Sequence, residues 1–465
     1  MDRDEITRWL DEHDIDTLRT EGVTLDGVVI GKYVSRNKFE RALTSGVALS
    51  DLNAFACDIS GDPQFGWWAE WRPSFFGDIL QRPDPATLVI QPGTPGLAAC
   101  VVDHTDVEGR ALPVCARTIV RQLTDQIGEL GYEVRMSAEL EAVAFEESFA
   151  EARAKGYKAL TPLAGADPRP AYSITVAHEM DTLLGEARRR LTAMGIPWEV
   201  MNKEFASGQF EINLEPADPV TFADRQIRLK QVLREVALEQ GHSVTFMPTP
   251  RGGVLPEVYG SGLHLHHSLW RGGEPAFYDA SAPGNRSTTM LHWLGGLLAT
   301  MRGSMLLLAP TMNSYRRLAG FGGGPHAVTW CDENKTTALR TISRAPSLTR
   351  IEHRVACADA NPYLLAAAVL AGGLAGLEEQ IDPPEEFRYI AWQVPERIPQ
   401  LPRSMVEAAE AMEGDERLTK KLGTEFVDYW LHTRRWEWLM FHGGGADPEA
   451  TEPTDWELHR YFEVV

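Results

Sequence analysis

Apolar and polar positions recur at two different periods along this chain. In "DRDEITRWLDEH", Ile6, Trp9 and Leu10 fall on one side of a helical repeat among charges, which predicts an N-terminal helix with an acidic start. In "TLRTEGVTLDGVVIGKYVS" the apolar residues alternate around Asp-Gly punctuation, which predicts a hairpin. The stretches "ATLVIQPG" and "LAACVVDH" read as further strands, so a small β-rich N-terminal domain with a helix or two is expected. It ends near the turn-rich, aperiodic "DVEGRALP", giving domains 1–110 and 111–465. Beyond it, "ARTIVRQLTDQIGELGYEV" is an amphipathic helix stopping at Gly131. Strands then alternate with helices such as "MDTLLGEARRRLTAMG", "DRQIRLKQVLREVALEQG" and "PYLLAAAVLAGGLAGLEEQI". The class is α+β with one large second domain, and "HGGGADPEATEPTD" (442–455) reads as a loop.

Composition narrows what such a chain does. Its 465 residues exceed a single ordinary core, and 66 acidic against 45 basic residues leave a net charge of -21. That balance argues against sequence-independent binding to nucleic acid or anionic membrane. The five cysteines are dispersed, without a CxxC or Cys/His cluster, so neither a disulfide framework nor a zinc site is indicated. With a charged start and no apolar run of roughly 18 residues, no signal peptide or membrane span is expected, and a cytoplasmic location is.

Four strand-like stretches place ionisable residues at every second position, and hence on one face of a strand. These are Glu139 and Glu141 in "MSAELEAVAF", Glu211 in "NKEFASGQFEINL", His264 and His266 in "GSGLHLHHSLW", and Arg350, Glu352 and Arg354 in "LTRIEHRVA". Glu204 precedes a Ser-Gly turn able to fold it back beside Glu211. Any one stretch is most simply a half-exposed strand with its polar side in water. Together they differ, because converging carboxylates repel unless hard divalent cations neutralise them. The added arginines point to a metal-bridged polyphosphate.

In this order the stretches resemble glutamine synthetase of the bacterial type over nearly the whole chain. "GDILQRPD" is similar to the end of its N-terminal β-grasp domain. "AELEAVAF" and "KEFASGQFEI" are similar to its first metal ligands, "GSGLHLHHSL" to its histidine strand, "APTMNSYRRL" to its glutamate-binding segment, and "TRIEHRVACADANPYLLAAAVLAGG" to the strand and helix that follow. The resemblance implies a catalytic domain whose antiparallel strands form a funnel-shaped site for Mg2+ or Mn2+, ATP and glutamate. It implies one metal on Glu141, Glu204 and Glu211 and another on Glu139, His264 and Glu352. It further implies phosphate contacts from His266, Arg340 and Arg350, and a grip on glutamate from Arg317 and Arg354 beside Gly260. Homo-oligomers of two hexameric rings, with sites between adjacent subunits, are expected by resemblance.

Departures from the family cluster on the side where ammonium enters. The family's flap glutamate falls on Gly323, and no acid lies in "LAGFGGGPHA". The partner aspartate falls on Gln64, with Asp62 reachable only through a gap. Of the ammonium pocket only the tyrosine is recognisable, as Tyr172. Replacing an acid by glycine removes charge and opens volume, which suits a substituted amine, and "FGWWAEW" (Phe65, Trp67, Trp68, Trp71) offers aromatic lining. Tyr259 replaces an asparagine beside glutamate, and Lys335 an arginine near the phosphoryl group. Trp392 falls in the segment that carries an adenylylated tyrosine in bacterial relatives, so that regulation is not expected.

The pattern looks like the family's glutamate-amine ligases, with a small amine such as ethanolamine favoured over a polyamine. Ammonium-using glutamine synthetase and a non-catalytic oligomer are the alternatives. Tyr172, Glu70 and Asp62 are the candidates for proton acceptor. The run "GFGGGP" lacks the Gly-Lys-Ser/Thr ending of a phosphate-cradling P-loop and reads as a flap over the amine side.

Overall fold

The alternating stretches pair into two sheets in the computed structural model, which describes residues 1–64, 77–165, 169–251, 259–319, 324–448, 450 and 452–465. The first sheet has seven strands: β1 (Thr17–Val23), β2 (Val29–Ile30), β3 (Tyr33–Ser35), β4 (Val47–Ser50), β5 (Asp78–Pro83), β6 (Val89–Ile90) and β7 (Leu97–Thr105). Its order is β2-β1-β7-β5-β4, with β3 on β1 and β6 on β7. β1 turns back onto β2 at Asp26-Gly27, where Gly27 takes φ +82° and donates its N–H to Thr24 O, as the punctuation predicts. β1 also lies parallel to β7, a pairing no hairpin supplies. Ile6 and Leu10 of the helix Arg3–Glu12 bury against Leu18 and Ala98 of this sheet.

The second sheet has nine strands: β8 (Glu133–Phe145), β9 (Trp198–Lys203), β10 (Gln209–Leu214), β11 (Ser243–Thr245), β12 (Leu263–Arg271), β13 (Glu274–Pro275), β14 (Trp330–Asp332), β15 (Leu339–Ile342) and β16 (Arg350–His353). They run β14-β15-β16-β12-β8-β10-β9, antiparallel except at β14–β15. One face, with Ala138, Leu140, Phe210, Ile212, Leu263, Leu265 and Ile351, is buried in a core shared with the helices Ala116–Glu129, Pro219–Gln240 and Pro362–Glu379. The other face is left for the ionisable residues. Arg117 ties the two parts together, bonding Asp84 and Asp103 on one side and Asp224 on the other at 2.7–2.9 Å.

Two expectations shift. "ATLVIQPG" yields only the two-residue β6, because Asp84 caps a 3-10 turn at Pro85–Thr87. The loop expected from 442 begins later, since the helix Thr424–Gly443 runs through His442. Among the described residues no helix is long and apolar enough to cross a membrane.

The helix Pro362–Glu379, which follows β16, crosses Thr288–Thr300 at a glycine contact. A Cβ on Gly376 would lie 2.2 Å from His292 O and 2.8 Å from Gly296. Gly376→Ala is therefore expected to cost about 1–3 kcal/mol, read as a lower urea midpoint. Gly128→Ala, with open space around its Cβ inside a helix, is expected to gain about 0.5–1 kcal/mol.

Candidate active site

Register brings the ionisable residues together. On β8, Glu141 stands opposite Glu211 of β10, and Glu139 opposite His264 of β12. His266 stands opposite Glu352 of β16, which in turn faces Arg340 of β15. Paired residues point to the same side of a sheet, so five strands contribute to one polar face. Glu204 joins them because β9 turns back into β10 immediately after it, with Glu204 N–H bonded to Gln209 O at 2.9 Å.

The carboxylates fall into two electrostatic regimes. At the β10 end, burial and then the charges of Glu139, Glu141 and Glu204 push Glu211 up to about 9. Burial and then Glu204 push Glu141 up to about 8. Glu204 is also raised by burial, against a hydrogen bond from Asn202 Nδ2 at 2.8 Å. At the β16 end the arginines reverse the sign. Burial would raise Glu352, yet Arg354, then His266, hold it below the usual range, and Arg340 bonds it at 2.9 Å. Glu139 bridges the regimes, and burial is outweighed there by hydrogen bonds with His264 Nδ1 (3.2 Å) and His266 Nε2 (2.9 Å). Burial and then Arg354 lower His264 to about 4, so its ring is neutral at pH 7.

This donor set fits divalent cations. Ligand atoms of Glu139, Glu211 and His264 lie within 4.8 Å of one another, as do those of Glu139, His266 and Glu352. Glu141 Oε2 accepts from Gly262 N–H (2.8 Å) and Gln209 Nε2 (3.2 Å).

A cavity of about 310 Å³ opens at the acid-rich end, its lining including Glu139, Glu141, Glu204, Glu211 and His264 together with Arg317, Arg354 and Lys335. Arg317, 3% exposed, donates to Val355 O (3.2 Å) and to His264 Nε2 (3.4 Å). Gly260 is required beside it, since a Cβ there would lie 2.7 Å from Arg317 Cγ. Arg350 lies further along the sheet, donating to His266 Nδ1 at 3.1 Å. Tyr172 lines the cavity, but burial and the Glu204 and Glu211 charges push its phenol up to about 12. It therefore keeps its proton at neutral pH. Asp62 is exposed and Gln64 buried away from this lining. Gly323, Glu70, Phe65, Trp67, Trp68 and Trp71 lie outside the described residues.

Four lining residues were not assigned a contact there from sequence. Gln209 sits two residues before Glu211 on β10, so the period-two rule reaches it. Phe205, Thr336 and Trp392 come from turns and loops, where no periodicity applies.

The chain is similar to known proteins. The model of the glutamine synthetase catalytic domain matches residues 113–461. A glutamate-isopropylamine ligase from Pseudomonas is 30% identical over 460 residues, covering 98% of this chain and 97% of its own. The gamma-glutamylethanolamide synthetase of Streptomyces coelicolor is 30% identical over 97% of this chain and 93% of its own. The glutamine synthetase of Thermus thermophilus is 29% identical over 98% of each. Among solved structures, the GmaS/ADP complex superposes with a TM-score of 0.83 at 26% identity, covering 98% of both chains.

The raised carboxylates make metal uptake proton-coupled. Below about pH 8, Glu141 and Glu211 carry protons in the metal-free protein, and a cation must displace them. Titrating Mn2+ calorimetrically in buffers of different ionisation enthalpy is expected to show release of about one to two protons at pH 7, fading as pH passes 9. No release at pH 7 contradicts this site.

Proposed function

The chain belongs to the glutamine synthetase family, and from that premise we propose that it joins the γ-carboxylate of glutamate to an organic amine at the expense of ATP. A γ-carboxylate oxygen attacks the terminal phosphorus of ATP, and ADP leaves. The amine nitrogen then attacks the carbonyl carbon of the γ-glutamyl phosphate, inorganic phosphate departs with its bonding electrons, and the nitrogen loses a proton. The products are a γ-glutamyl amide, ADP and phosphate.

Each residue has a role in this reading. Arg317 and Arg354 hold glutamate where Gly260 leaves room for its close approach, while His266, Arg340, Arg350 and Lys335 face the phosphates. Glu141, Glu204 and Glu211, with Glu139, His264 and Glu352, would hold Mg2+ or Mn2+, which supply charge neutralisation for phosphoryl transfer. Arg317 and Arg340 also stabilise the transferring phosphoryl group, since positioning and charge account for most of such catalysis. Tyr172 offers a neutral hydroxyl to the incoming amine.

The observation carrying the choice of amine over ammonium is glycine at position 323, with no acid between Leu318 and Ala327. Ammonium has hydrogens on every side and needs carboxylates around it, whereas a substituted amine needs volume. Near full-length likeness to two amine ligases supports this reading. We further assign residues 1–110 as a β-grasp domain, 111–465 as the catalytic domain, and the assembly as a cytoplasmic double ring of hexamers.

Phosphate release with ATP, Mg2+ and glutamate, measured across ammonium, short alkylamines, ethanolamine, putrescine and spermidine, tests the proposal. At least one organic amine is expected to exceed ammonium about tenfold in kcat/KM, a margin within what pocket contacts supply. Ammonium outperforming every organic amine overturns it and leaves a true glutamine synthetase. Restoring the acid by Gly323→Glu is expected to lower the ratio of organic amine to ammonium turnover, and an unchanged ratio removes position 323 from the account.

A further inference from the structure

We infer that Glu333 is a positioning residue for phosphoryl transfer: its carboxylate, on the turn that leaves β14, holds the Arg340 guanidinium in the orientation that meets the transferring phosphoryl group. The inference rests on the reading above in which Arg340 serves that transfer, and it does not depend on which nitrogen nucleophile follows.

Glu333 comes directly after β14 and takes φ +54°, a left-handed conformation uncommon for a residue with a side chain. Its backbone is nonetheless fixed to β15, with its N–H donated to Thr341 O at 3.0 Å. The chain is tied down on either side of it. Asp332 Oδ1 accepts from Thr341 Oγ1 at 3.0 Å, and Asn334 Nδ2 donates to Tyr389 O at 2.9 Å. From this anchored turn the carboxylate reaches two arginines: Oε2 accepts from Arg340 Nη2, and Arg344 Nε lies 2.8 Å from Oε1. Arg340 Nη1 donates to Glu352 Oε2 at 2.9 Å, so one guanidinium is held by two carboxylates.

Two features of Glu333 are unfavourable in themselves. The left-handed backbone is costly for any residue but glycine, and such outliers collect at functional positions. The carboxylate also sets a negative charge at the end of the sheet proposed to meet a polyanion, which it repels. Positioning accounts for both. A guanidinium carries five N–H donors in one plane, and bonds from its two terminal nitrogens fix that plane. Arg340 Nε has no partner among the described residues, so donors remain for a phosphoryl oxygen. Glu352 alone does not secure this orientation, because it is shared with Arg354 and belongs to a cation grouping, whereas Glu333 belongs to neither grouping. Catalysis by charge set in place beforehand depends on such orientation.

Steady-state phosphate release by the assembled full-length enzyme, with its best nitrogen nucleophile, tests this in Glu333→Ala, Glu333→Gln, Arg340→Gln and the double variant Glu333→Ala/Arg340→Gln. Alanine keeps the Cβ of glutamate, so it adds no new backbone strain at position 333. Expected for Glu333→Ala is a fall in kcat of about tenfold or more, with glutamate KM held and ATP KM unchanged or lower. Glu333→Gln, which keeps an acceptor for Arg340, is expected to lose less. In the Arg340→Gln background, adding Glu333→Ala is expected to cost less than about twofold, since the two residues act as one unit. A lower ATP KM with kcat held shows Glu333 acting as a charge alone and overturns the inference, as does the same loss of kcat with and without Arg340. A preference for ammonium overturns the choice of amine and leaves this inference standing. Wild type that releases no phosphate from ATP with any nucleophile removes the ligase reading, and the inference with it.

Discussion

Two carboxylates placed directly across a β-ladder are the constraint from which this structure follows. Glu141 opposite Glu211 is a pairing that destabilises a sheet when both are charged. Burial beside Glu204 adds to the repulsion, and protons held well above the usual carboxylate range relieve it in the metal-free protein. A divalent cation relieves it better, and so becomes part of what makes the arrangement tolerable. The sheet supports such a face because its reverse side is almost entirely apolar and buried.

The same face changes character along its length. Toward β15 and β16 the acid Glu352 is surrounded by Arg340, Arg354 and His266 and stays ionised. Toward β10 acids outnumber cations, and they titrate upward. One sheet therefore offers a basic end suited to a polyanion and an acidic end suited to cations, with Glu139 and its two histidines between them. Arg317 reaches the junction over Gly260 and Gly262, where Cβ atoms would strike it at 2.7 Å.

How much of this was legible beforehand depended on whether local pattern or long-range pairing set the answer. Period-two alternation exposed the strands bearing Glu139, Glu141, Glu211, His264, His266 and Glu352, because a one-sided face leaves its mark in each strand separately. Register leaves none: that Glu139 meets both histidines, and that Glu141 spends an oxygen on Gly262 N–H, follows from how β8 and β12 slide together. Gln209 was within reach of the same rule that found Glu211. Phe205, Thr336 and Trp392 were not, since turns and loops carry no period, and the parallel pairing of β1 with β7 needed the intervening chain to fold.

The central claim is that this polar face is a divalent-cation centre serving phosphoryl transfer. Anomalous diffraction from crystals grown with Mn2+ and ADP tests it most directly. The account predicts manganese peaks over the sheet, in contact with the carboxylates of Glu139, Glu211 and Glu352 and with a histidine of β12. Manganese absent from this face while ADP is bound, or bound only elsewhere on the chain, contradicts it.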